Sequence, residues 1–378
     1  MTKLLLSSAG LLWLAVVVTS AQGTGAGPGL VLDGKRFFEN ETFGGNGRTC
    51  LTCHSKDTGT VSPADAQKRF EQNPNDPLFL HDGSDDGLGH GVSRMLADAT
   101  VLVTINLHPN VSLADDPDAR TVTLRRGILT TLNTPALDPQ LMVDGRQPSL
   151  EAQAAGAIAD HAQAAAPPLS VLQSIAAFQK TNGFFTSPEL RRFALEYGPA
   201  PGLPEGHTES EKRGRRFFLD VPPDPTDGLK PGLCGHCHSG PLLNQTNQFA
   251  KDFILIPTIP AGQRFISVGI SEFNDAQNPT RPFVFFKDTL DEVTIPSPDL
   301  GRALVTGVLD DPTLEHINAF KILPLRGVKR TAPYFHDNSA KTLEDVVRHY
   351  ANFFFVVAGI VLTPEDQQDI VAYLRLLD

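Results

Sequence analysis

The chain has 378 residues, enough for two domains or one elaborated one. Its formal charge of −11 argues against nucleic acid or an anionic membrane surface as a partner. With 32 Gly and 30 Pro, much of it is expected to be loop.

At the start, Lys3 precedes the apolar run LLLSSAGLLWLAVVV, and TSAQG follows with a small-residue cleavage site after Ala21. Residues 1–21 read as a secretory signal peptide, too short and wrongly flanked for a membrane span, so a periplasmic protein is expected. DGKRFF, ending at Phe38, leads to CLTCH, which supplies Cys50, Cys53 and His54. ATVLVTINL and RTVTLRRG, between residues 99 and 127, are strand-like. DGRQPSLEAQA begins at Asp144, and the Ala/Pro run around Pro167–Pro168 is a candidate boundary. Helical patterns follow in SVLQSIAAFQK, SPELRRFALEY and TESEKRGRRFF, then CGHCH supplies Cys234, Cys237 and His238. Towards the end come two more helices, TLEDVVRHYANFF from Thr342 and TPEDQQDIVAYLRLL from Thr363. Thr342 is placed to cap the first of these, with Asp345 reciprocating.

All four Cys fall into the two C-x-x-C-H motifs, the attachment signature of c-type haem. Two thiols three residues apart can form thioethers to one porphyrin, and the adjacent His binds the iron from below. Disulfides and zinc sites also use C-x-x-C pairs. Neither explains a His directly after both pairs with no Cys left over.

The two halves repeat. Gly34 and Gly214 open matching Gly-basic-Arg-Phe-Phe segments 180 residues apart, His54 and His238 lie 184 apart, and Asp144 and Asp337 lie 193 apart. Duplicated haem modules built of short helices are expected. The 193-residue offset places Tyr350 opposite Ala157. A helix crossing the open face of each haem would then present a phenol to one iron and a methyl group to the other. His161, one turn beyond Ala157, can pass a proton between the oxygens of a peroxide, with Gln163 nearby. It can equally be a solvated helix-end His, or an iron ligand. His349 falls on another face of its helix and is expected to be solvated.

Together with NTPALDPQLMVDGRQPSLEAQAAG, DLGR and LPLRGVKRTAPYFHDNSAKTLEDVV, the two motifs resemble the bacterial di-haem cytochrome c peroxidase/MauG family from about residue 30 to the C-terminus. The resemblance implies an all-α chain of two cytochrome c-like haem domains with long loops and a few short strands. It implies an N-terminal peroxidatic haem domain over 30–168, with an insertion at 57–120, and a C-terminal electron-transfer haem domain over 169–378. It further implies two covalently bound haem c groups, His54 and His238 as axial ligands, and Tyr350 as a third ligand where other members use Met. A calcium ion would take oxygens from Asn133, Ile322 and Pro324, although Asn133 before Pro is also an ordinary turn residue. The implied partners are H2O2 and an electron donor, either a small cytochrome c or cupredoxin, or a protein or organic substrate to be oxidised. Three departures stand out. Val143 replaces the family Trp between the haems, Gln163 falls near the family pocket Glu, and the insertion carries His81, His90 and His108. Of these His90 is the candidate resting ligand, with a solvent-facing loop position as the alternative. An electron carrier with both irons six-coordinate, or an oxygenase using O2, are the competing functions.

Overall fold

A computed structural model describes residues 28–219, 233–246, 265–273, 277–286, 292–309 and 315–378; the expected signal peptide lies outside these residues. In chain order the helices are α1 (Pro28–Asn40), α2 (Cys50–Cys53), α3 (Pro63–Gln72), α4 (Ser93–Asp98), α5 (Thr134–Leu137), α6 (Leu150–Asp160) and α7 (Leu169–Gln179). They continue as α8 (Pro188–Ala194), α9 (Glu209–Arg216), α10 (Leu233–Cys237), α11 (Ile270–Phe273), α12 (Ala303–Thr306), α13 (Leu343–Ala358) and α14 (Pro364–Leu374). The sequence sets their starts: Ser149, Thr208, Thr342 and Thr363 each accept a hydrogen bond from a backbone N–H three residues on. In the last three an acidic residue returns the bond, closing a capping box.

The repeat is visible in the backbone. In the first half α1 crosses α7 at Gly34, where an added Cβ would lie 1.9 Å from the Ser174 carbonyl oxygen. In the second, α9 crosses α14 at Gly214, with the corresponding distance to the Asp369 oxygen 2.0 Å. Only glycine permits backbones this close. Beside these crossings Phe38 packs edge-on to Phe178, and Phe218 packs against Tyr373. The loops before α6 and α13 also match. Leu141 bridges Gln147 and Tyr334 bridges Ala340, Met142 and Phe335 both take positive φ, and Asp144 and Asp337 each accept from the N–H two residues on. Ser149 and Thr342 are then equivalent N-caps, so Ala157 and Tyr350 occupy the same position of α6 and α13.

One expected boundary moves. Helix α7 follows the Ala/Pro run, yet Leu172 and Ile175 share a core with Phe38, Ala154 and Ile158 of α1 and α6. The run is a connection within the first module, and that module's packing continues beyond residue 168.

Among the described residues the strands form three small antiparallel sheets: β1 (Thr100–Asn106) with β3 (Thr121–Gly127), β2 (Val111–Leu113) with β5 (Arg281–Phe286) and β6 (Glu292–Ser297), and β4 (Phe265–Ile266) with β7 (Phe320–Lys321). Strands β1 and β3 are the two segments read as strand-like, and they pair in register from Thr100 with Gly127 to Asn106 with Thr121. The 57–120 segment is no separate appendage. Leu78, Phe79, Met95 and Leu113 share one core with Phe283, Phe285, Leu300 and Leu304 of the second half.

Candidate functional site

The two C-x-x-C-H motifs open onto an apolar cavity of about 1020 Å³, lined by all four Cys, His54 and His238. Each motif forms a short helix, α2 or α10, that turns its thiols to the cavity. Burial pushes the Cys50 and Cys234 thiols up to about 12. Neutral thiols in an apolar wall suit thioether formation rather than a thiolate metal site. No disulfide joins the four Cys, and among the described residues no cluster of three or more His, Cys, Asp or Glu could hold a metal.

The two histidines are held alike. His54 Nδ1 bonds to the Gly59 carbonyl and His238 Nδ1 to the Leu243 carbonyl, both at 2.8 Å. A bond to a carbonyl places the proton on Nδ1 and leaves the Nε2 lone pair for a metal. Burial depresses both imidazoles, His238 to about 4, so both are neutral and ready to ligate at neutral pH. The sites therefore fit a haem each: paired thiols, an oriented neutral imidazole and apolar walls.

Above them the capping helices differ. Ala154, Ala157 and Ile158 of α6 face the first site, with Gln153 as the polar group of that face. Tyr350 of α13 faces the second, beside Phe353 and Phe354. Burial raises the Tyr350 phenol well above its usual range, and the Cys237 and Cys234 thiols add to it.

His161, the C-cap of α6, lines the cavity near the first site. Its Nδ1 lies 2.5 Å from Asp82 Oδ2, and Asp82 is ion-paired with Arg48, two residues before Cys50. Arg48 also donates to the carbonyls of Pro77, Leu78, Leu80 and His161. Burial raises the Asp82 carboxyl, but the bonds from His161 and Arg48 outweigh it and hold the group below its ordinary value. Asp82 and Arg48 were absent from the sequence expectation. Asp82 lies 79 residues from His161, and no local spacing links them.

Several expectations need correcting. Gln163 is exposed, turns away at positive φ, and accepts from Asn46 at 3.3 Å, so it does not share the cavity with His161. His349 is buried rather than solvated: its Nε2 bonds to the Val268 carbonyl at 2.9 Å and its ring packs edge-on to Phe335. Among the insertion histidines, His90 is exposed and paired with Asp86. The Asn133 amide is engaged by Thr186 and by the Arg326 carbonyl, which ties the turn before α5 to residue 186. Buried Val143 lines the cavity wall, as do Phe320 and His336, whose rings stack with centroids 3.6 Å apart.

No catalogued family profile matches the chain. It is 28% identical over 167 residues to cytochrome c551 peroxidase of Pseudomonas aeruginosa, a match covering 44% of this chain and 33% of that protein. The chain thus matches about a third of that relative's length. In fold it is similar to the crystal structure of a MauG-like protein associated with microbial copper homeostasis, with TM-score 0.52 and 19% identity over 93% of this chain and 88% of the other. Among the described residues no helix is long and apolar enough to cross a membrane. The chain is thus similar over part of its length to a cytochrome c551 peroxidase and similar in fold to a MauG-like protein.

Proposed function

We propose that this chain is an exported di-haem oxidoreductase that reduces H2O2 at an N-terminal haem c held by Cys50, Cys53 and His54. A second haem c, held by Cys234, Cys237, His238 and Tyr350, shares the oxidising equivalents. The observation that carries the reading is the difference at one position of two equivalent helices, Ala157 over the first site and Tyr350 over the second. A methyl group leaves the first iron accessible to peroxide, whereas a phenol oxygen closes the second.

Bound haem would supply the redox couple for H2O2 + 2 H+ + 2 e− → 2 H2O. The chain supplies the rest. His161 Nε2, facing the cavity because Nδ1 is held by Asp82, takes a proton from the nearer peroxide oxygen and returns it to the leaving one. Apolar walls keep bulk water from competing. Similarity to a cytochrome c551 peroxidase favours a small c-type cytochrome as the electron donor, with a cupredoxin or an oxidisable protein or organic substrate as the alternatives. The signal peptide read in residues 1–21 supports a periplasmic setting for this chemistry.

Optical and EPR spectra of the oxidised holoprotein test the reading. One high-spin and one low-spin haem are expected, and H161Q should slow peroxide consumption by about 10²- to 10⁴-fold. A wholly low-spin protein whose N-terminal haem turns high-spin in H161Q would make His161 an iron ligand and overturn the assignment, as would failure to consume H2O2.

A further inference from the structure

The geometry points to Asp82 as the positioning residue for His161, with Arg48 holding the carboxylate in place. This inference rests on His161 acting as the proton carrier at the first site. Asp82 does not line the cavity; it stands behind the imidazole, its Oδ2 on Nδ1 and its Oδ1 on Arg48. A carboxylate there accepts the Nδ1 proton, which fixes the tautomer in which Nε2 is the base. It also steadies the ring when Nε2 is protonated.

The surroundings are built for this. Arg48 and Asp82 are both nearly fully buried, so each charge depends on the other. The guanidinium gathers the carbonyls of Pro77, Leu78 and Leu80 on one side and that of His161 on the other, joining the 77–83 turn to the end of α6. Gly83 is needed for that approach: an added Cβ would lie 1.9 Å from the Leu78 oxygen and 2.7 Å from Arg48 Nη2. Arg94 fixes the turn from behind by donating to the Asp82 carbonyl at 2.8 Å. The 57–120 segment thus supplies the support of the proton carrier, a role distinct from forming a substrate pocket.

The test compares D82N, D82E, H161Q and D82N/H161Q as haem-loaded proteins, with D86N from the same loop as control. The readouts are the single-turnover reaction with H2O2 and the association rate of cyanide with the oxidised N-terminal haem. Cyanide enters as HCN and must also give up its proton. D82N is expected to slow both by about 10- to 100-fold without weakening peroxide saturation. The double variant should be no slower than H161Q, D82E should recover most of the loss, and D86N should match wild type. Wild-type rates in D82N, or losses that multiply in the double variant, would overturn the inference while leaving the function intact. A wild-type peroxide step in H161Q would instead remove the proton-carrier role of His161 and this inference with it. If D82N fails to load haem, D82E carries the test. It should slow cyanide association severalfold when His161 is present and not in the H161Q background; an equal effect in both backgrounds would overturn the inference.

Discussion

Tyr350 and Ala157 put a phenol and a methyl group at the same position of two equivalent helices. Both sit eight positions into a capped helix that faces a C-x-x-C-H motif. In the apolar cavity the Tyr350 phenol stays protonated, because burial disfavours the phenolate. Only a cation against the oxygen reverses that preference, and a ferric iron is such a cation. As a ligand, the hard, anionic phenolate would favour Fe(III) over Fe(II). Y350F is therefore expected to abolish the low-spin signal of the C-terminal haem and raise its potential, by on the order of 0.1 V out of the roughly 0.8 V that axial ligands span. Tyr334 provides the control, since its hydroxyl is already committed to the Val328 carbonyl at 3.0 Å. An unchanged spectrum in Y350F, read beside Y334F, would exclude ligation.

At the scale of elements, each module depends on a helix crossing that only glycine allows. Gly214→Ala forces a Cβ into the Asp369 carbonyl, and Gly34→Ala does the same at Ser174. The backbone cannot yield as a flexible side chain would, so each is expected to cost about 1–3 kcal/mol in thermal or denaturant unfolding. Gly29, where an added Cβ meets nothing, should tolerate Ala with little change. These glycines were legible in the sequence as part of a repeated Gly-basic-Arg-Phe-Phe segment, as were the helices, the Thr342 cap and the two strands β1 and β3. What escaped was long-range. The Ala/Pro run looked like a boundary because composition cannot distinguish a loop inside a module from a linker between two. His349 looked solvated because helical periodicity shows which residues share a face, not that residues 265–268 lie across that face. Gln163 was misplaced because the helix ends at Asp160 and the chain turns left-handed, so helical spacing no longer applies. Asp82 was invisible because its partner is distant in sequence and the segment between them carries its own sheet.

At the scale of the whole molecule, one buried cluster joins the two halves. Arg126 at the end of β3 donates to Asp144 in its own half, and to both oxygens of Asp299 in the other at 2.8 and 2.9 Å. Burial lowers the affinity of the guanidinium for its proton, but Asp299 and Asp144 more than compensate and raise it above the usual value. It stays charged at any pH at which the protein folds. Removing it in R126M leaves Asp299 buried without its guanidinium partner and Asp144 with Arg146 alone, and unfolding should become easier by about 3–5 kcal/mol. The same cluster sets an acid limit. Burial raises the Asp144 carboxyl, yet Arg126 and Arg146 pull it below its ordinary value of 3.8, so the folded state favours the charged form. Its contribution is fully present above that ordinary value and is lost as pH falls through the lower folded value. Stability should therefore fall as pH drops below about 4, the ordinary carboxyl value. D144N, which cannot titrate there, should show a flatter acid limb and lower stability at neutral pH. Wild-type and D144N stabilities with the same slope between neutrality and pH 3 would exclude Asp144 as a source of the acid limb.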